Sequence, residues 1–277
     1  MIFRACRLLL AVLCIMPAAV AAESPLILGV HPYLPPKEIH ERFAPLAAYL
    51  GQSLHRPVMV RVGRDYDEHS TAIGKDQIDI AFMGPAPYVA LIKTYGPKPL
   101  LARLEVDGKP QLVGVIVTRT DSPLRTLAAL KGKRFAFGDR QSTMSHTVPQ
   151  RMLEQAGVPE KTLARHEFLG AHKNVALAVL AGDYDAGAVK SEIYNEYAAK
   201  GLRVLATSPP VSEHLFVTRA NLPREQVDQL RQALLAVKSS PGGRAILQAI
   251  NRDCTNLVTV QDSDYNGLRR ILYGPGQ

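Results

Sequence analysis

Short runs of apolar and β-branched residues alternate with longer amphipathic stretches along most of this chain. Leu26–His31, Val58–Val62 and Ile78–Met83 read as strands, since their apolar positions run together or alternate over a strand's length. Lys37–Leu50 has helical periodicity and meets Gly51, and a short helix falls near Glu68–Gly74. Pro85–Tyr95 carries proline in its first turn and Gly96 after its last, the asymmetry that helix ends favour. The alternation resumes with strand Lys133–Phe137, helix Ser145–Ala156, strand His166–Leu169 and helix Asn174–Ala181. Strand Asp185–Val189, helix Ser191–Lys200 and strand Leu202–Ala206 follow, and helices near Arg224–Lys238, Arg244–Ile250 and Asp264–Leu272 fill the tail.

Strands alternating with helices imply parallel βαβ units and an α/β fold. Two β-rich segments interrupt the pattern: Leu112–Arg119, and Ser208-Pro209-Pro210 leading into His214–Thr218. Both read as crossings between lobes. The expected organisation is a first lobe over 23–117, a second over 118–212, and a return to the first over 213–277. Ligands of open α/β sheets bind outside the carboxyl ends of the strands, so a cleft between two such lobes gathers several of these ends.

The N-terminus changes the picture of where the chain works. Arg4 and Arg7 precede the apolar run Leu8–Met16, and the small residues Ala19 to Ala22 follow. That order is an export signal, expected over 1–22, and the run is too short to span a bilayer, which takes about 20 apolar residues. The chain is therefore expected in the periplasm. Hydrophobic residues make up 47% of it, enough for a full core. Its formal charge of +8 is spread among acids with no basic run, which argues against a nucleic-acid partner and for a solvated surface that attracts small anions. Cys6 and Cys14 fall in the export segment, so only Cys254 remains and no internal disulfide is possible after cleavage.

Candidate chemistry sits where strands hand over to helices. Gly138-Asp139-Arg140-Gln141-Ser142-Thr143-Met144-Ser145-His146 joins a strand to a helix and places hydroxyls around a helix N-terminus. Free backbone N–H groups and about half a positive charge make such a terminus a site for a tetrahedral oxyanion. Ser145 reads equally well as a simple helix cap. Gly170-Ala171-His172-Lys173 is a second such turn, where His172 is either a donor to the anion or a partly exposed histidine. Gly84-Pro85-Ala86-Pro87-Tyr88 is a third, where Tyr88 offers a hydroxyl or fills the core. Lys190 ends a strand at the head of a helix, an unfavourable place for a cation that implies an anionic neighbour or free solvation.

Other motifs fail on their spacing. Asp262-Ser263-Asp264-Tyr265-Asn266-Gly267 begins like a calcium loop, but Tyr273 stands where the bidentate Glu belongs. His166, Glu167 and His172 lack the H-E-x-x-H register of a zinc protease, and there is neither a G-x-S-x-G elbow nor a Walker loop. No cofactor, metal or nucleophile is called for, and an enzyme is not expected.

The blocks Phe135-Ala136-Phe137-Gly138-Asp139, Ser142-Thr143-Met144-Ser145-His146, Ile80 to Tyr88, Phe168-Leu169-Gly170-Ala171-His172 and Asp185 to Val189 occur together and in order. In this the chain resembles the phosphate, phosphite and phosphonate periplasmic binding proteins, the PhnD-like family. The resemblance implies a type II periplasmic binding protein: two α/β lobes joined by a two-strand hinge, which capture a small phosphorus oxyanion for an ABC importer. A sensory role, reporting occupancy to a membrane histidine kinase, is the alternative it implies. Carried over by motif, the expected ligand residues are Ser142, Thr143, Ser145, His146, His172, Tyr88 and Tyr66. Lys190 stands where aminoalkylphosphonate binders present an acid, which favours a compact anion. The implied partners are the oxyanion and a membrane permease or kinase, with the chain itself a monomer.

Overall fold

Four strands of this chain are buried along almost their whole length, and that follows from their composition. The computed structural model describes residues 24–274, so the predicted export segment with Cys6 and Cys14 lies outside the described residues. In chain order the elements begin β1 (Leu26–Val30), α1 (Pro36–Ser53), β2 (Val58–Val62), α2 (Tyr66–Gly74), β3 (Ile80–Met83), α3 (Pro85–Tyr95) and β4 (Leu100–Val106). They continue β5 (Gln111–Leu112), β6 (Gly114–Arg119), β7 (Arg134–Phe137), α4 (Val148–Gln155), β8 (Arg165–Phe168), α5 (His172–Ala181), β9 (Ala186–Lys190), α6 (Ser191–Tyr197) and β10 (Leu202–Thr207). The last are β11 (Val211–Ser212), β12 (Leu215–Thr218), α7 (Arg224–Ala236), α8 (Gly243–Ile250), β13 (Cys254–Val258) and α9 (Asn266–Tyr273). Strands β3, β9 and β12 are buried at every position and β6 at all but its last, the mark of strands covered on both faces.

Two sheets result. The first has the order β13-β4-β12-β3-β1-β2, the second β10-β6-β9-β7-β8. Within the first, β1 pairs in parallel with β2 and β3, as the βαβ reading requires. Within the second, β7 pairs in parallel with β8 and β9. The strands that cross between lobes, β6 and β12, enter antiparallel to their neighbours. A separate two-stranded ribbon, β5 against β11 with Leu112 opposite Val211, ties the two crossings together. Aromatic rings pack each core: Phe82 lies 4.9 Å from both Phe43 and Phe216 in the first lobe, and Phe137 lies 4.6 Å from Phe135 in the second.

The structure moves several predicted boundaries. β6 is a full member of the second sheet, so the first crossing is complete at Gly114 rather than at 117. Helix α1 runs through Gly51 to Ser53, because the turn that stops it is built by His55 at φ 51. The predicted helix over Ser145–Ala156 divides: a wide turn over Thr143–Thr147, closed by Thr147 N to Ser142 O at 3.0 Å, precedes α4. Strands β4 and β13 have no counterpart in the sequence reading. Arg103, Glu105 and Asn256 break their apolar pattern, and the two strands pair with each other at the sheet edge.

Candidate functional site

Three helices and the wide turn over Thr143–Thr147 begin around one point between the lobes. Tyr66 opens α2, Gly84 precedes α3, Ser142 caps the wide turn that runs into α4, and His172 opens α5. All four residues line one small, nearly closed cavity of about 10 Å³, room for a single water-sized sphere. Lys190 at the head of the short α6, Thr143, Met144, Leu112, His31 and His214 complete the wall. A helix start leaves N–H groups without intrahelical partners and carries partial positive charge, which favours an anion at the wide turn and at α5. Helix α3 adds shape rather than donors, since Pro85 and Pro87 lack an N–H and the Ala86 amide is taken by Thr143. Gly138 makes the convergence possible: a side chain on it would collide with Ser145 and with the Gly170 carbonyl.

Hydrogen bonds fix the protonation of this wall. The Lys190 amide donates to His172 Nδ1 at 3.2 Å, which makes Nδ1 the acceptor and leaves the proton on Nε2. That Nε2–H stands 3.2 Å from Ser142 Oγ. Burial first, then the Lys190 charge, pushes the His172 pKa down to about 3, so the ring is neutral in ordinary buffers. Ser142 Oγ also accepts from the Ser145 amide at 3.2 Å. With both lone pairs taken, its own proton is left to donate, and the Tyr66 phenol is within hydrogen-bonding contact. Thr143 Oγ1 accepts from the Ala86 amide at 2.9 Å, across the lobes, and keeps its proton for a further acceptor.

Lys190 does not present a free charge. Its ammonium lies 2.5 Å from Glu192 and 4.2 Å above the Tyr33 ring, and Glu192 is also held by Arg42 of the first lobe at 2.6 Å. Burial alone would raise the Glu192 pKa, but Lys190 and Arg42 outweigh it and hold the carboxylate at about 2. The anionic neighbour that Lys190's position demands is thus the protein's own Glu192. The lobes meet through further ties: Lys173 to Glu38 at 2.9 Å, and Ser70 to Gln141 at 3.1 Å.

Three expected ligand residues are placed elsewhere. Ser145 is fully buried and donates to the Ala188 carbonyl, while the capping role falls to Ser142. His146 turns away from the cavity, bonded to the Arg140 carbonyl at 2.6 Å and Glu160 at 2.9 Å, edge-on to Phe137. Tyr88 donates to Asp262 at 2.7 Å and packs on Tyr265, on the side of α3 that meets the C-terminal helix. The remaining five, Ser142, Thr143, His172, Tyr66 and Lys190, come together in the wall. The sequence reading missed His31 and His214, whose rings stack 5.3 Å apart at 12°. Their one sequence signal is position, His31 directly after a strand and His214 directly before one.

Beside this cavity lies a cleft of about 500 Å³, lined by Tyr33, Glu192, Glu213, Ser208 and the hinge ribbon. Among the described residues no cluster of His, Cys, Asp or Glu is arranged to hold a metal, and no helix is long and apolar enough to cross a membrane. Cys254 is buried, which pushes its thiol up to about 12.

Comparison with known proteins bears on family and fold. The family model described as ABC transporter, phosphonate, periplasmic substrate-binding protein matches residues 28–265. The probable ABC transporter phosphite-binding protein PhnD1 of Prochlorococcus marinus is 26% identical over 135 residues, 44% of this chain and 46% of that one. The phosphonates-binding periplasmic protein of Escherichia coli is 23% identical over 185 residues, 63% of this chain and 55% of that one. The chain spans about half the length of the curated relatives it matches. Among solved structures, PhnD1 of P. marinus in complex with methylphosphonate superposes with a TM-score of 0.81 at 20% identity, over 89% of this chain and 96% of that one. A binding-protein component of the Pseudomonas aeruginosa ABC phosphonate transporter gives 0.81 at 20% identity, over 90% and 86%. The shared fold is the two-lobed periplasmic binding protein.

Proposed function

The chain belongs to the phosphonate family of ABC-transporter periplasmic substrate-binding proteins, and from that premise we propose that it captures a compact phosphorus oxyanion between its lobes and delivers it, chemically unchanged, to a membrane permease. The observation that carries this is the convergence of the α2, α3 and α5 starts and the Ser142-capped wide turn on one cavity, with hydroxyls from Ser142 and Thr143 and the Nε2–H of a neutral His172 among them. One helix terminus contributes about 0.3–2 kcal/mol, whereas micromolar affinity needs about 8 kcal/mol. The difference comes from charge-assisted hydrogen bonds in a water-poor site, each stronger than its neutral counterpart.

Phosphite, methylphosphonate and phosphonates are the ligand chemistry named for the relatives, and a compact anion is the one a small cavity favours. The proposed ligand residues are Ser142, Thr143, His172 and Tyr66, with His31 and His214 closing the wall. The family model and the E. coli relative, both named as periplasmic, support a periplasmic location. Calorimetric titration with phosphite, phosphate, methylphosphonate and sulfate tests the proposal. Saturable binding of at least one phosphorus anion, tighter than sulfate, is expected, and tighter binding of sulfate than of every phosphorus anion would overturn it.

A further inference from the structure

The oxyanion cavity and the larger cleft beside it share three wall residues, Leu112, Lys190 and His214. The two polar members of this wall are held from the cleft side. Lys190 pairs with Glu192 at 2.5 Å and lies over Tyr33, and His214 Nδ1 stands 2.5 Å from Glu213. Tyr33, Glu192 and Glu213 line the cleft, and none of them lines the small cavity. The Lys190 ammonium is therefore engaged on the cleft side of the wall, and Leu112 joins the wall from the hinge ribbon.

Resting on the oxyanion reading above, we infer that Leu112, Lys190 and His214 form a partition that limits the size of the substituent on the bound phosphorus. The 500 Å³ cleft is a latent subsite for a longer alkyl chain, closed off as long as the Lys190 stem stands in the wall. The space in front of the partition is only about 10 Å³, so a hydrogen or methyl substituent is the most it is expected to admit as the lobes adjust around the anion. A propyl chain must displace Lys190, which breaks the pair with Glu192 and the contact with Tyr33. Charge is not what excludes the chain, since Glu192 already answers the ammonium. The four-carbon stem is the barrier.

The experiment compares affinities for phosphite, methylphosphonate and n-propylphosphonate, by calorimetry, on the full chain and its variants. The native protein is expected to bind methylphosphonate about ten-fold or more tighter than propylphosphonate, the discrimination that a closed apolar wall gives against added methylenes. In Lys190→Ala that ratio falls to about three-fold or less. In Lys190→Met, which keeps a stem of similar length without the charge, the ratio stays near the native one. Should Lys190→Ala fail to fold by circular dichroism, Leu112→Ala opens the same wall and is expected to lower the ratio likewise. Equal native affinities for the methyl and propyl ligands, or a native ratio retained in every opened variant, overturns the partition and leaves the oxyanion reading standing. No binding of phosphite, phosphate or methylphosphonate to the native protein overturns the oxyanion reading, and the partition falls with it.

Discussion

His172 Nε2 stands 3.2 Å from Ser142 Oγ while its Nδ1 takes the Lys190 amide proton, so three helix starts of the second lobe share one hydrogen-bonded chain. The backbone of one turn sets the tautomer of a ring in the next. That ring in turn leaves the Ser142 proton to be donated, here to the Tyr66 phenol. The lobe thus presents donors to the cavity before any ligand arrives, and an anion meets a preorganised surface.

Replacing Ser142 removes two functions at once. Ser142→Ala loses the cap on the Ser145 amide and a hydroxyl facing the proposed anion. Loss of a hydrogen bond to a charged group costs about 1.5–3 kcal/mol, or roughly 10- to 150-fold in affinity. Calorimetry with phosphite or methylphosphonate is expected to read that loss, with circular dichroism unchanged. An affinity within two-fold of native would remove Ser142 from the ligand set.

Tyr88 and Tyr66 are expected to part company. Tyr88→Phe breaks the bond to Asp262, outside the cavity, and should lower stability by about 1 kcal/mol with little change in affinity. Tyr66→Phe alters the cavity wall beside Ser142 and should weaken the ligand by roughly 10-fold. Paired melting and binding curves on the two variants decide the matter, and a larger affinity loss from Tyr88→Phe would contradict the placement.

Stability should fall in mild acid, through buried neutral histidines. Burial lowers His172 to about 3 and His69 to about 4, and burial together with His214 lowers His31. Each ring titrates near 6.5 in the unfolded chain, so below that pH the unfolded state takes up protons that the folded state refuses. The contribution is intact above about pH 6.5 and is lost progressively as pH falls towards 4, by at most about 1.4 kcal/mol per pH unit for each ring. Denaturant unfolding of the ligand-free protein at pH 7, 6 and 5 should show the decline, and His69→Gln should flatten it. A stability independent of pH across this range would argue against the buried neutral rings.

Closure should depend on the ion pairs between the lobes. Arg42 of α1 joins Glu192 at 2.6 Å and Glu196 at 3.8 Å, both on α6 of the second lobe, with its side chain only 17% exposed. Arg42→Ala removes ties that exist only when the lobes meet, and so shifts the population towards an open form. Affinity is expected to fall about ten-fold, mainly through faster dissociation. Small-angle scattering should show a smaller radius of gyration on ligand binding to the native protein, and a larger ligand-free radius in the variant. Identical radii in all four samples, with binding confirmed, would speak against hinge closure.

Much of this was legible in the sequence, because helix starts and strand ends are marked by local chemistry. Pro85 after Gly84, Asp65 accepting from the Glu68 amide, and a hydroxyl-rich turn at 142–145 each satisfy backbone groups within a few residues, so composition alone locates them. The alternation of strands and helices determined the α/β class, and the two interruptions marked the crossings. Direction was not legible. Ser142 and His146 share a turn, yet its wide i→i+5 winding leaves Ser142 in the cavity and His146 against Phe137 and Glu160. Tyr88 sits one turn into its helix, and the packing of Tyr265 on α3 decided that its hydroxyl meets Asp262. Long-range pairing was equally hidden. β4 and β13 gain their register from each other, Glu192 reaches Lys190 and Arg42 from different lobes, and His31 meets His214 only because β1 and β12 flank β3 in one sheet. Local hydrogen bonding determined where the helices begin, and only tertiary packing decided which of their side chains face the cavity.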